Sequence, residues 1–219
     1  MESPPLSKRL AAEIVGTFGF FFIGFTSIAA GAPGPIGFGF GLFLMIAALG
    51  HISGGHFNPA VTVGLTVGGK HPTTEVVQYI VAQLVGGLAA ALLAIGIYDG
   101  IGTFDKANLV TKPGAGVSDF KAMLIELIAT LLFLMVISAV ATDTNAPWNG
   151  IQAPIFIGLF IFTAATVFGP LSGGSFNPAV SIAPAITAGE FSNLWIYIVG
   201  PTVGGAIGGA AFKWFRQSA

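Results

Sequence analysis

A polar turn is written twice in an otherwise apolar chain. The first copy reads His51-Ile52-Ser53-Gly54-Gly55-His56-Phe57-Asn58-Pro59-Ala60-Val61, and the second reads Pro170-Leu171-Ser172-Gly173-Gly174-Ser175-Phe176-Asn177-Pro178-Ala179-Val180. Eight of the eleven positions are identical at an offset of 119. Asparagine is a favoured helix N-cap, and proline fits the first helical position. Each copy therefore closes a glycine-rich stretch and starts a helix. The apolar pieces that follow run from Pro59 to Val67 and from Pro178 to Ala188. At about 1.5 Å per residue each is about 15 Å long, half of the roughly 30 Å hydrocarbon core of a bilayer.

Lipid is the solvent that the rest of the chain demands. Only 8% of residues are charged, 54% are apolar, and the mean hydropathy is +0.87. Soluble domains average about 25% charged residues. Six apolar runs are long enough to span: Leu10 to Ala30, Phe38 to Gly50 with a start near Pro35, Glu75 to Tyr98, Lys121 to Ala141, Ile151 to Phe168, and Leu194 to Phe215. The chain has no cysteine, so disulfides, thiol nucleophiles and thiolate metal sites are excluded. A net charge of −1 argues against nucleic acid as a partner. Lys8 and Arg9 before an apolar run, with Ala30-Gly31-Ala32 after it, mimic a secretory signal. The run is longer than such a signal needs and carries Glu13, so a retained span is expected.

The duplication extends beyond the turns. Glu13 and Thr17 match Glu126 and Thr130 at an offset of 113, and Val85-Gly86-Gly87 matches Val203-Gly204-Gly205 at 118. Each half thus holds two spans, a half-helix and a third span. The first repeat covers about 9–98, a connecting loop about 99–118, and the second repeat about 119–216, all in one membrane domain of residues 1–219. Three crossings per half reverse the second copy, giving an inverted repeat. The expected fold is an all-α integral membrane protein with six transmembrane helices and two re-entrant half-helices that meet mid-membrane. With both termini cytoplasmic, Lys8, Arg9, Lys70, Lys213 and Arg216 lie inside, while Lys106, Lys112 and Lys121 lie outside.

Non-helical backbone at membrane depth is tolerated where it lines a cavity or is buried in protein. The Ser-Gly-Gly-X-Phe carbonyls would form a ladder of acceptors, joined at the centre by the donors of Asn58 and Asn177. A polar molecule could leave bulk water and remain hydrogen-bonded, which offsets a desolvation cost of several kcal/mol. Each half-helix N-terminus carries about half a positive charge. Two of them aimed at one midpoint disfavour cations, protons included. The expected permeant is small, polar and neutral.

This pattern resembles the aquaporin, or major intrinsic protein, family over essentially the whole chain. The resemblance rests on the two Asn-Pro-Ala turns, Glu13 and Glu126, and six spans with two half-helices. It implies an hourglass pore in each subunit of a homotetramer in the cell membrane. It also implies passive conduction of water, and in some members of glycerol, urea or ammonia, with no cofactor. The pore centre would be Asn58, Pro59, Ala60, Asn177, Pro178 and Ala179. Pore-lining backbone would come from Gly54, Gly55, His56, Phe57, Gly173, Ser175 and Phe176. Glu13 and Glu126 would each accept hydrogen bonds from the amides of their re-entrant loop.

The chain departs from the family where arginine usually follows the second Asn-Pro-Ala. Val180 stands there, and Ser181 stands where glycerol facilitators often carry aspartate. The other constriction positions fall on Phe38, Ala165 and Gly174. A Phe-Ala-Gly-Val collar is wider and more apolar than a strict water filter, and points to solutes larger than water.

Competing chemistries have less support. An ion-coupled secondary transporter could use Glu13 and Glu126, since intramembrane carboxylates mark proton pathways. Enzyme activity would need a nucleophile with its base or a metal cluster, and no such constellation is visible. His51 and His56 are spaced five apart, off one helix face, with no carboxylate nearby in sequence, so metal binding is not expected. His51 is a candidate vestibule or gate residue, because histidine titrates near neutral pH. Trp148, Trp195 and Trp214 are expected as interfacial anchors, and Ser3-Pro4-Pro5 as a disordered tail.

Overall fold

A computed structural model describes residues 4–147 and 150–216. Among these, eight α-helices follow one another. They are α1 Leu6–Ala29, α2 Gly34–Ser53, α3 Pro59–Val67, α4 Val76–Tyr98, α5 Asp119–Ile137, α6 Ala153–Ser172, α7 Pro178–Ala188 and α8 Leu194–Arg216. Six of the described helices are long and apolar enough to cross a bilayer, and α3 and α7 are the short ones. The spans start and stop where local chemistry dictates. Pro35 sits in the first turn of α2, and the helix ends at Gly54 with φ of 93°. Gly173 repeats this at the end of α6 with φ of 94°. Only a residue without Cβ adopts that left-handed geometry freely, so both glycines stop a span and turn the chain inward.

Several boundaries move outward from the sequence expectation. The first span begins at Leu6, because Pro5 accepts from the amides of Lys8 and Arg9. Pro4 and Pro5 are correspondingly ordered rather than part of a free tail, and the Pro4 carbonyl accepts from Arg9 Nε at 3.1 Å. Ser3 and Trp148 lie outside the described residues. The last turn of α5 widens into a π-helix over Ser138–Thr142, a feature with no signal in the apolar pattern. The connecting segment is more than a loop. It carries a 3₁₀ turn at Lys106–Leu109, and Leu109 is buried.

The two halves use one packing scheme. In the first, α1 lies against α2 and α4; in the second, α5 lies against α6 and α8. The halves join along α2 and α6, and by exchange of the short helices: α3 packs on α8, and α7 on α4. Glycines set these distances. A Cβ on Gly86 would strike the Ile14 carbonyl of α1, and one on the matching Gly204 would strike the Leu127 carbonyl of α5. A Cβ on Gly209 would strike the Gly64 carbonyl of α3. Small residues allow such close approach in lipid, where helices associate by packing rather than by escape from water. The outward face is apolar. Val77, Val85, Leu92 and Phe120 are exposed by half or more of their surface, as suits side chains that meet hydrocarbon.

Candidate functional site

The re-entrant turns carry a backbone geometry that only a strong local frame can hold. Gly54 and Gly55 both have positive φ, as do Gly173 and Gly174. Phe57 and Phe176 also have positive φ, at 46° and 51°, although they carry side chains. A non-glycine residue pays of order 1–3 kcal/mol for such a conformation and persists in it only where its surroundings over-determine it. Both rings are fully buried, and Gly16 of α1 leaves the space that the Phe57 ring fills.

The glutamates supply the frame. Glu13 Oε1 accepts from His56 N at 3.0 Å and Ser53 Oγ at 2.7 Å; Oε2 accepts from Phe57 N at 2.8 Å and Gln83 Nε2 at 2.8 Å. Glu126 Oε1 accepts from Ser175 N at 3.0 Å and Ser172 Oγ at 2.8 Å; Oε2 accepts from Phe176 N at 2.6 Å. Both carboxyl groups are fully buried. Charge-assisted bonds to backbone amides are short and strong, and they hold each amide pair in the turn. A matched tyrosine fastens each turn from outside. Tyr79 donates to the Ser53 carbonyl at 2.8 Å and Tyr197 to the Ser172 carbonyl at 2.7 Å. The two tyrosines stand 118 residues apart, the offset of the Val-Gly-Gly repeat, so the pair was readable in the sequence. Gln83 has no such counterpart, because Pro201 occupies the matching position.

The asparagines do two jobs each. Asn58 Oδ1 accepts from Ala60 N at 2.8 Å and caps α3; Asn177 Oδ1 accepts from Ala179 N at 3.0 Å and caps α7. Their amides then cross between the halves. Asn58 Nδ2 donates to the Phe176 carbonyl at 2.9 Å, and Asn177 Nδ2 donates to the Phe57 carbonyl at 3.0 Å. A carboxamide has two N–H donors. One from each asparagine locks the turns together, which leaves one each to meet anything that lies between them.

Three cavities run in series past these groups. The first, of about 710 Å³, lies beside the connecting segment and is lined by Phe38, Ala165, Gly173, Gly174 and Val180 among others. The second is a pinch of about 20 Å³, lined by Asn58, Asn177, His56 and Ser175 together with Phe38, Gly174 and Val180. That is room for about one water molecule. The third, of about 600 Å³, opens on the face of the chain termini and is lined by His51, Gly54, Gly55 and His56. Shared lining residues make the three continuous: Phe38, Gly174 and Val180 join the first to the second, and Leu42, His56 and Phe133 the second to the third.

The four sequence-derived constriction residues therefore converge on one cavity wall. Phe38 is held edge-on by Phe20 and Phe25, with ring centroids 5.8 Å and 5.6 Å away. Val180 is buried in the first turn of α7. Beside it, Thr111 of the connecting segment donates to Ser181 Oγ at 2.7 Å, and Ser181 donates to Ser175 Oγ at 2.7 Å. This hydroxyl chain ties the segment to α7, a link invisible to the sequence because Thr111 sits in no repeat. Pro59, Ala60, Pro178 and Ala179 are buried behind the turns, and Phe57 and Phe176 reach the centre only through their carbonyls. His51 lines the vestibule, and its side chain makes no hydrogen bond among the described residues. His56 Nδ1 lies 3.0 Å from Thr62 Oγ1.

Known proteins share this plan. A probable aquaporin TIP2-2 of Oryza sativa subsp. japonica is 38% identical over 221 residues, covering 94% of this chain and 86% of its own. Aquaporin Z of Bradyrhizobium diazoefficiens is 38% identical over 228 residues, covering 96% and 94%. The solved structure of the aquaglyceroporin from Plasmodium falciparum matches with a TM-score of 0.85 at 24% sequence identity, covering 96% of this chain and 95% of that one. A family model described as major intrinsic protein matches residues 1–212. With two capped half-helices meeting at a one-water pinch between six spans, the chain belongs to the major intrinsic protein family.

Proposed function

We propose that this channel passes water and other small neutral solutes such as glycerol, urea or ammonia down their gradients, and excludes ions and protons. The observation that carries the proposal is the pinch. It sets Asn58 and Asn177 beside apolar Phe38 and Val180 and faces the N-termini of α3 and α7. One free N–H on each asparagine offers a donor to a passing oxygen. Two helix N-termini repel a cation there, and the caps orient both donors the same way on every passage. The collar of Phe38, Ala165, Gly174 and Val180 acts as the outer selectivity filter, and its small, apolar members favour solutes broader than water. Glu13 and Glu126 hold the re-entrant loops in place. Their full sets of hydrogen bonds favour this supporting role over proton coupling. His51 stands at the vestibule mouth.

The reading extends to organisation. The repeats at about 9–98 and 119–216 fold into one domain, both termini face the cytoplasm, and the subunits assemble as homotetramers in the cell membrane. The broad apolar outer faces of the helices suit both lipid and neighbouring subunits. Stopped-flow measurements on reconstituted vesicles test the function. Water and glycerol or urea flux above protein-free vesicles, linear in gradient and indifferent to ion gradients, is the expected result. Water flux with no solute flux would sink the open-filter reading. Flux that follows a proton or sodium gradient would favour a coupled transporter instead.

A further inference from the structure

A separate cavity of about 490 Å³ opens on the face that carries both chain termini. It lies among the ends of three helices: the turn after α3, the π-helical end of α5 and the last turns of α8. Among the described residues its wall holds Lys70, Lys213 and Arg216 against a single carboxylate, Asp143. Arg216 Nε pairs with Asp143 at 2.9 Å. The ammonium groups of Lys70 and Lys213 have no hydrogen bond or ion pair among the described residues. The cavity thus carries two unpaired ammonium groups, with the side chains of Thr144 and Asn145 beside them.

The C-terminal ends of α3, α5 and α8 offset part of this charge. Carbonyls at a helix C-terminus attract cations. Three carbonyls in the last turn of α3 are already engaged, since Gly68 N, Gly69 N and Lys70 N donate to the carbonyls of Gly64, Thr66 and Leu65 at 2.8 to 2.9 Å. Among the described residues no carbonyl or carboxylate holds either lysine ammonium, so both can meet an external anion. Depth narrows the choice of anion. Trp214 and Phe215, next to Lys213 and Arg216 on α8, are 69% and 62% exposed. Exposed aromatic residues at the end of a span sit at headgroup level. A basic cavity between helices at that level matches the phosphate of an anionic lipid.

We propose that this cavity binds a phosphate-bearing anion, held by Lys70 and Lys213, and that the phosphate of an anionic phospholipid headgroup supplies it. The site adjoins the conduction path without belonging to it: Lys70 and Thr142 line both this cavity and the vestibule. A bound headgroup would hold the Lys70 ammonium at the edge of the vestibule mouth.

Native mass spectrometry of the full-length protein, in micelles with equal phosphatidylglycerol and phosphatidylcholine, tests the site. Preferential retention of phosphatidylglycerol is expected. The Lys70→Gln/Lys213→Gln variant should lose roughly fivefold of that preference per lysine removed. Circular dichroism shows whether the variant keeps its helices. Asp143→Asn removes the opposing charge and should raise retention, a direction that a misfolded protein would not give. Titration with inorganic phosphate separates the sources. Phosphate binding that depends on the two lysines, without lipid preference, keeps the site and assigns it a soluble ligand. Equal retention of the two lipids with no phosphate binding overturns the proposal, and so does a lipid preference that survives the double substitution.

Discussion

In the proposed filter, Val180 is the residue on which we expect selectivity to turn. It lies in the wall shared by the outer cavity and the pinch, where a longer cationic side chain would reach across both. Val180→Arg is expected to cut glycerol and urea permeability at least tenfold while water flux stays within a few-fold, measured by stopped-flow light scattering. Equal loss of all fluxes would mean a blocked pore rather than a narrowed one. A second residue reports on stability. His71 packs against His56 and Tyr79 with ring centroids 4.8 Å and 4.5 Å away, and its Nε2 is buried without a partner. Burial holds its imidazole below the ordinary histidine range, and Arg9 adds to this while Glu75 opposes it. The unfolded chain therefore takes up this proton more readily than the folded one. Stability is full above about pH 6.5 and declines as pH falls towards the folded value. The thermal midpoint should drop between pH 7 and pH 5, and drop less in His71→Phe.

The decisive elements are the two short helices. Their starts are written locally in Asn58-Pro59 and Asn177-Pro178, and the structure caps both as that chemistry requires. What holds them is not local. The α3 helix lies on α8 at a crossing where a Cβ on Gly209 would meet the Gly64 carbonyl. Overpacking of this kind costs about 1–3 kcal/mol. Gly209→Ala should therefore lower the thermal midpoint and the water flux together. Gly96→Ala is the control, because a Cβ there meets nothing within 4 Å. It should leave both readouts unchanged or slightly improved. If the two substitutions behave alike, close helix approach is not what limits stability.

At the scale of the whole molecule the halves are exchanged as well as repeated. Each short helix rests on a span of the other half, and each asparagine donates to a carbonyl of the other turn. Residues 1–110 and 111–219 made as separate chains should each be protease-sensitive, and water flux should return when they are co-expressed. A single half that resists protease would break this account. The sequence by itself determined the spans, the half-helices, their caps and the buried glutamates, because apolar length, helix capping and an intramembrane carboxylate are read over a few residues. It also marked Val180, by comparison of one turn with a known pattern. Tertiary structure alone decided the positive φ of Phe57 and Phe176, the crossed asparagine amides, the Thr111–Ser181–Ser175 chain and the small volume of the pinch. Each of these depends on partners about 44 to 120 residues away, and no local pattern of apolar and polar residues records which distant groups will meet.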